Sequence, residues 1–202
     1  MFVMPEYATV EEAITLMQIG VDPPIIAIDG LPCSGKSTTV DRLKNRIEFD
    51  CIYLDDFVLP ERNWPLGIGP AFPFEYIRYD EFLDAIRALA SHGTCSFRPF
   101  DWNTFEISAE KRTVALSKYA VVEGVSSLER SLCNLYGLKI FVESDRATTL
   151  QAALNRGVGP WGNQWLELFL PSADIYMETR PQARADLLIA GRGVGSGLGS
   201  VT

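Results

Sequence analysis

Between an apolar run, Ile25-Ile26-Ala27-Ile28, and a stretch with apolar residues at helical spacing, Val40, Leu43 and Ile47, the chain reads Gly30-Leu31-Pro32-Cys33-Ser34-Gly35-Lys36-Ser37. This is G-x-x-x-x-G-K-S, a phosphate-binding loop that needs a strand before it and a helix after it, and both are present. The two glycines let the backbone wrap a phosphate chain with its N–H groups turned inward. The helix that follows adds the positive end of its dipole and its free N–H donors. Gly30, Pro32, Cys33, Ser34, Gly35, Lys36, Ser37 and Thr38 form the expected nucleotide-binding set. Lys36 offers a mobile charge to the β- and γ-phosphates, and Ser37 a hydroxyl to Mg²⁺. Ile25 to Ile28 is apolar without alternation, which reads as a strand buried on both faces, and so as a parallel sheet covered by helices.

Four more strands are expected around it, at Cys51–Leu54, Ala120–Val122, Leu138–Val142 and Asp186–Ala190. In open α/β sheets ligands gather at the carboxyl ends of the strands. The second strand ends in Asp55-Asp56-Phe57 and the third in Glu123-Gly124. A phosphoryl-transfer site needs an acidic residue beside the magnesium ion, and Glu123 fits that place. Asp55 is placed to accept or orient the proton of an acceptor hydroxyl and to sit near the metal. Ser37, Asp55 and Glu123 are thus the expected metal set. Asp56 either hydrogen-bonds the acceptor or caps the next turn.

Residues 58–78 are rich in Pro, Gly and aromatics. A loop of that length is a binding loop, or a wrapped loop whose aromatics plug the core. Asp80 to Ala90 reads as an amphipathic helix with Phe82, Leu83, Ile86 and Leu89 inward, stopped at Gly93. His92 falls at its exposed end. Thr94 to Arg98 reads as a short strand, and Asp101 beside Trp102 is either an acceptor contact or a turn aspartate. With Phe57 and Arg98 these residues make up the expected acceptor side, 56–105. At the front, Thr9 and Glu12 form a capping box for a helix ended by Gly20, within an N-terminal segment 1–22. A late helix from Asp145 to Asn155 breaks at Arg156-Gly157-Val158-Gly159-Pro160. Arg146 and Arg156 flank the break, and Arg156 is the expected catalytic arginine of a lid over 145–176. Trp161, Trp165, Leu168 and Phe169 recur at helical spacing and read as core packing.

The bulk numbers narrow the function. With 202 residues the chain suits one α/β domain, taken as 1–192, with a flexible glycine-rich tail at 193–202. A net charge of −8 argues against broad binding of nucleic-acid backbones. Four scattered cysteines and one histidine make a zinc site improbable. No apolar stretch approaches the ~20 residues of a membrane span, and acidic Glu6, Glu11 and Glu12 do not read as a leader. The expected location is the cytoplasm, with reduced thiols. The expected partner is a small-molecule phosphoryl acceptor, with neither nucleic acid nor membrane, and a homodimer is left open.

A phosphate loop alone does not separate switch, motor and kinase. The chain has no N-K-x-D for guanine and no second signature of a transporter ATPase. Carboxylates at strand ends, an aromatic loop and a late lid are the layout of a small-molecule kinase using ATP and Mg²⁺. A nucleotide-binding regulatory protein with little transfer is the competing reading.

Four segments carry a more specific resemblance: Gly30–Ser37, Tyr53-Leu54-Asp55-Asp56-Phe57, Val121-Val122-Glu123-Gly124, and Arg180 to Arg192 with Ala185-Asp186-Leu187-Leu188-Ile189. Arg98-Pro99-Phe100-Asp101 adds a fifth. Together they resemble the uridine kinase branch of P-loop kinases, which includes nicotinamide riboside kinase, pantothenate kinase and phosphoribulokinase. The resemblance implies a P-loop three-layer α/β sandwich, a five-stranded parallel sheet in order 2-3-1-4-5, a lid after strand four, and Asp55 as catalytic carboxylate. Phe100 and Phe105 stand where that branch carries a nucleoside-binding Tyr and His, and the lid has fewer arginines, so uridine is not implied. The segment Arg98 to Trp102 resembles the R-x-x-D-W of bacterial uridine-kinase-like proteins.

Overall fold

Five parallel strands form the central layer: β1 (Ile25–Asp29), β2 (Asp50–Tyr53), β7 (Ala120–Glu123), β8 (Leu138–Glu143) and β9 (Leu187–Ala190). Their spatial order is β2-β7-β1-β8-β9, which is 2-3-1-4-5 when only these strands are counted. The computed structural model describes residues 7–156 and 161–194, the side chain of Arg156 excepted. The expected tail therefore lies outside the described residues from 195 onward, as does the break at 157–160.

Alternation along each strand sorts the core into two layers. Ile25, Ala27, Ile52, Ala120, Val122 and Phe141 pack with Phe82, Ile86 and Leu89 of α3 (Tyr79–His92). Ile26, Ile28, Cys51, Val121, Ile140 and Val142 pack with Ala13, Ile14 and Met17 of α1 (Val10–Ile19) and with Val40 and Leu43 of α2 (Lys36–Lys44). Because both faces are covered, the strands read as apolar runs rather than alternating ones. Each large side chain taken from water contributes about 1.5–3 kcal/mol, which is what fixes the sheet between its helices.

Local signals place the ends. Thr9 Oγ1 accepts from the Glu12 N–H at 3.2 Å, and the Glu12 carboxylate accepts from the Thr9 N–H, so the capping box forms. Gly93 closes α3 at φ 72°, with its N–H on the Leu89 carbonyl at 2.9 Å. β2 stops at Tyr53, one residue earlier than expected, because Leu54 to Phe57 turns into a 3₁₀ helix. Two small antiparallel pairs stand beside the sheet: β3 (Thr94–Phe97) with β6 (Arg112–Ala115), and β4 (Phe100–Asp101) with β5 (Glu106–Ile107).

The long loop is held down at both ends by a bridge between Val58 and Ile77. Phe74 is buried, and Phe72 packs on Tyr176 and Tyr79. Much of its aromatic content thus fills core. The late segment comprises α4 (Arg146–Arg156), α5 (Gly162–Gln164), a π-helical turn at Trp165–Phe169 and α6 (Leu170–Met177). The Trp161 and Leu168 side chains are buried, while Trp165 and Phe169 are half-buried, so the expected core stripe forms in part. Among the described residues no helix is long and apolar enough to cross a membrane.

Phe82 is fully buried where α3 meets the sheet, in contact with the Phe57 and Tyr79 rings. Phe82→Ala should cost about 3–5 kcal/mol, read as a lowered denaturation midpoint with an unchanged urea slope.

Candidate active site

The parallel register puts the carboxyl ends of three strands level. Glu123 lies opposite Ile28 on one side and Tyr53 on the other. The loop after β1, the turn after β2 and the end of β7 therefore share one edge. Gly124 tightens this: a Cβ there would come within 2.3 Å of the Leu54 Cβ. That close approach sets the Leu54 turn, and with it Asp55, against the end of β7.

Gly30 opens the phosphate loop at φ 146°, and a Cβ at this position would lie 2.4 Å from the Val142 carbonyl oxygen. Gly35, in the left-handed region, caps α2, whose first residue is Lys36. Lys36 is buried and folds back over the loop. Its Nζ donates to the Leu31 carbonyl at 2.9 Å and lies 3.7 Å from Glu123 Oε1. Ser37 Oγ donates to Glu123 Oε2 at 3.4 Å. Ser34 Oγ is buried with no hydrogen-bond partner among the described residues. A glycine cradle, a helix N-terminus, a buried lysine and an orphaned hydroxyl fit a phosphate chain.

Burial pushes the Glu123 carboxyl up to about 7; the Lys36 ammonium opposes this, and the nearby Asp55 charge adds to it. No group of three or more His, Cys, Asp or Glu side chains able to hold a metal occurs among the described residues. Ser37 and Glu123 fit a Mg²⁺ ion that takes most of its oxygens from phosphate and water, the usual habit of that ion.

The other expected residues divide. Asp55 is exposed in the 3₁₀ turn, and its charge is felt at Glu123, Asp56 and Tyr76. Asp56 instead pairs with Arg112, whose Nη1 is 2.7 Å from Asp56 Oδ2 and whose Nη2 donates to the Cys51 carbonyl at 2.8 Å. Phe57, expected at the acceptor, is fully buried against Phe82 and Phe97. A ring with no exposed surface cannot touch an acceptor, so it anchors the turn. Arg98 is exposed. Asp101 Oδ1 accepts from the Asn103 N–H at 2.9 Å, the geometry of a turn aspartate. Trp102 is half-exposed and meets the Trp161 ring edge-on at 5.8 Å. Cys33 is half-buried at φ 59°, while Thr38 is exposed on α2. Pro32 is half-buried in the loop. The Arg156 side chain lies outside the described residues. Arg146 Nε donates to Asp174 Oδ1 at 2.8 Å, which ties α4 to α6.

Sequence reasoning missed three residues. Asp29, at the end of β1, has no exposed surface and raised proton affinity, burial being the main cause. Its Oδ1 accepts from the Gly30 N–H at 2.6 Å and the Ser126 N–H at 3.1 Å. Its Oδ2 accepts from the Leu128 N–H at 2.8 Å and from the Tyr176 hydroxyl. A charged residue closing an otherwise apolar buried strand was the available signal. Arg78 Nη2 donates to the Asp56 carbonyl at 2.8 Å and the Arg98 carbonyl at 2.7 Å, bracing the turn that carries Asp55. Trp161, read as core, is also the hub of an aromatic cluster with Trp64, Phe100, Trp102, Phe105 and Phe169.

No family model and no curated protein matches the chain by sequence. Solved structures do match its fold. A possible uridine kinase from Bacillus stearothermophilus superposes with a TM-score of 0.67 at 20% identity, covering 89% of this chain and 96% of that one. A candidate fructose transport system kinase from Silicibacter sp. TM1040 gives 0.68 at 21%, covering 90% and 98%. Phosphoribulokinase from Rhodobacter spheroides gives 0.59 at 17%, covering 83% and 69%. At such identities the likeness establishes the fold alone, a five-stranded parallel sheet layered between helices.

Two outcomes test the electrostatics of the site. Tyr176→Phe should cost about 1–3 kcal/mol, because it leaves buried Asp29 short of a donor. Tyr136→Phe should cost far less, since the Tyr136 hydroxyl has no partner among the described residues. For Glu123 the sign follows from the raised proton affinity. Its folded value of about 7 exceeds the model-peptide 4.5, so the folded state holds the extra proton between them. Stability of the nucleotide-free protein should therefore fall as pH rises through that window, by an amount on the order of 3 kcal/mol. Glu123→Gln should flatten this slope in urea titrations at several pH values.

Proposed function

We propose that the protein is an ATP- and Mg²⁺-dependent kinase that transfers the γ-phosphoryl group to a hydroxyl of a small metabolite. The observation that carries this reading is the convergence of Lys36, Ser37 and Glu123 on one another, with Asp55 on the same sheet edge. Similar structures described as a possible uridine kinase, a candidate fructose transport system kinase and a phosphoribulokinase support a hydroxylated acceptor.

Phosphoryl transfer asks a protein for position and charge rather than covalent chemistry. The phosphate loop holds the donor by its backbone N–H groups, and Lys36 lies over the loop with its ammonium directed at the site. Bound Mg²⁺ would neutralise phosphate charge, held through Ser37 and Glu123. Asp55 is exposed at the sheet edge, where it can orient an acceptor hydroxyl and take its proton. Arg78 and Gly124 hold the Asp55 turn from two sides. Asp56 and Phe57 keep the turn anchored rather than touching the acceptor. The lid assignment of Arg156 belongs to this proposal, and so does a cytoplasmic location.

The test is ADP release across a panel of nucleosides, vitamins, sugars and amino alcohols. Lys36→Ala should lower transfer by about 10²-fold or more, the scale of one lost transition-state donor. Asp55→Asn should lower it similarly while leaving binding of a non-hydrolysable ATP analogue intact. Full activity of Asp55→Asn would overturn the mechanism. Tight ATP binding with no turnover on any panel member would favour a nucleotide-binding regulatory protein instead.

A further inference from the structure

Pro60, Glu61, Arg62, Phe105 and Trp161 line a cavity of about 210 Å³. It lies between three segments. Pro60–Arg62 follow the turn that carries Asp55, Phe105 lies between β4 and β5, and Trp161 precedes α5. The volume is below the roughly 300–1,000 Å³ of sites for drug-sized ligands, so it takes a headgroup rather than a whole nucleotide.

Two charged side chains line it, Glu61 and Arg62. The Arg62 guanidinium is forked onto the Glu106 carboxylate, which cancels both. Glu61 has no such ion pair: its carboxylate accepts from Trp161 Nε1 at 3.2 Å, and no cation among the described residues pairs with it. That hydrogen bond aims the carboxylate. Trp161 itself is held by five aromatic neighbours. The Phe105 and Trp161 rings, packed edge to face at 5.5 Å and 88°, supply the apolar part of the lining. A neutral polyhydroxylated group could donate hydrogen bonds to Glu61 but would leave its charge without a counter-ion. An anion would meet Glu61 with no free cation to offset it. A cation wrapped in apolar groups meets both requirements, because aromatic rings and a carboxylate together attract weakly hydrated ammonium groups.

The structure assigns this cavity to the far end of the phosphoryl acceptor: we infer that the acceptor is an amino alcohol carrying an alkylated ammonium, with its hydroxyl directed toward Asp55. The assignment of the cavity to an acceptor rests on the kinase reading above; its preference for cations does not. The chain itself connects the two ends: Glu61 stands six positions after Asp55, on the segment that leaves the Leu54–Phe57 turn.

The experiment titrates the full-length protein with choline and with 3,3-dimethylbutan-1-ol, its neutral carbon isostere, following tryptophan fluorescence. Choline should bind about tenfold more tightly than the isostere. Glu61→Gln should remove that preference, with melting temperature and affinity for an ATP analogue as fold controls. Equal binding of the two probes, binding of neither, or a preference that survives Glu61→Gln would overturn the inference. ADP release with choline separates the two proposals. A choline preference without transfer to any amino alcohol would overturn the assignment of the cavity to the acceptor, whereas no turnover of any panel member would count against the kinase and leave the cation pocket standing. Transfer to a neutral acceptor without choline binding would leave the kinase and remove the pocket.

Discussion

Asp29 holds a carboxylate wholly out of water at the point where the central strand becomes the phosphate loop. Desolvating a carboxylate costs several kcal/mol unless hydrogen bonds replace the lost water. Here three backbone N–H groups and one tyrosine hydroxyl do so. The donors come from the phosphate loop, from the 126–128 turn after β7 and from α6. One side chain thereby couples the phosphate loop to the third strand's end and to the late helical segment. Removing any of these partners exposes the cost of the buried charge, so the three regions keep a common geometry.

The rest of the phosphate-loop side is built on that frame. Level strand ends bring Glu123 against Lys36 and Ser37, and burial keeps the Glu123 proton affinity high. A divalent ion would favour the charged form, so metal binding and loss of that proton are linked. The turn after β2 and the β4–β5 hairpin are stiffened differently. Arg112 fixes Asp56, Arg78 braces the same turn and the base of the β4–β5 hairpin, and aromatic rings fill the space beyond. The π-helical turn before α6 brings Phe169 onto Trp64 and Trp161. Such turns are frequent at functional sites.

Much of the fold was legible because its signals are local or periodic. The apolar run at Ile25 needs two buried faces. Thr9 and Gly93 mark helix ends through their own backbone bonds, and Gly30 to Ser37 commits its neighbours to strand and helix. The positions of Asp55 and Glu123 on one sheet edge were legible because each ends an apolar run in the sequence, and parallel strands align their carboxyl ends. Asp56, Phe57 and Asp101 were harder. Polar and aromatic residues in a turn look alike in sequence whether they face a ligand, a salt-bridge partner or the core. Only contacts with Arg112, Phe82 and the Asn103 N–H separate those cases.

The sequence by itself determined the phosphate loop, the parallel sheet and the acidic strand ends, since each follows from neighbours a few residues apart and from side-chain period. Tertiary structure alone decided which carboxylates remain available. Asp29 is spent on backbone donors, Asp56 on Arg112 and Glu106 on Arg62, while Glu61 faces a cavity without a cation among the described residues. Those pairings join residues from tens to about a hundred positions apart, and ionic partners are chosen by distance in space, which no local pattern encodes.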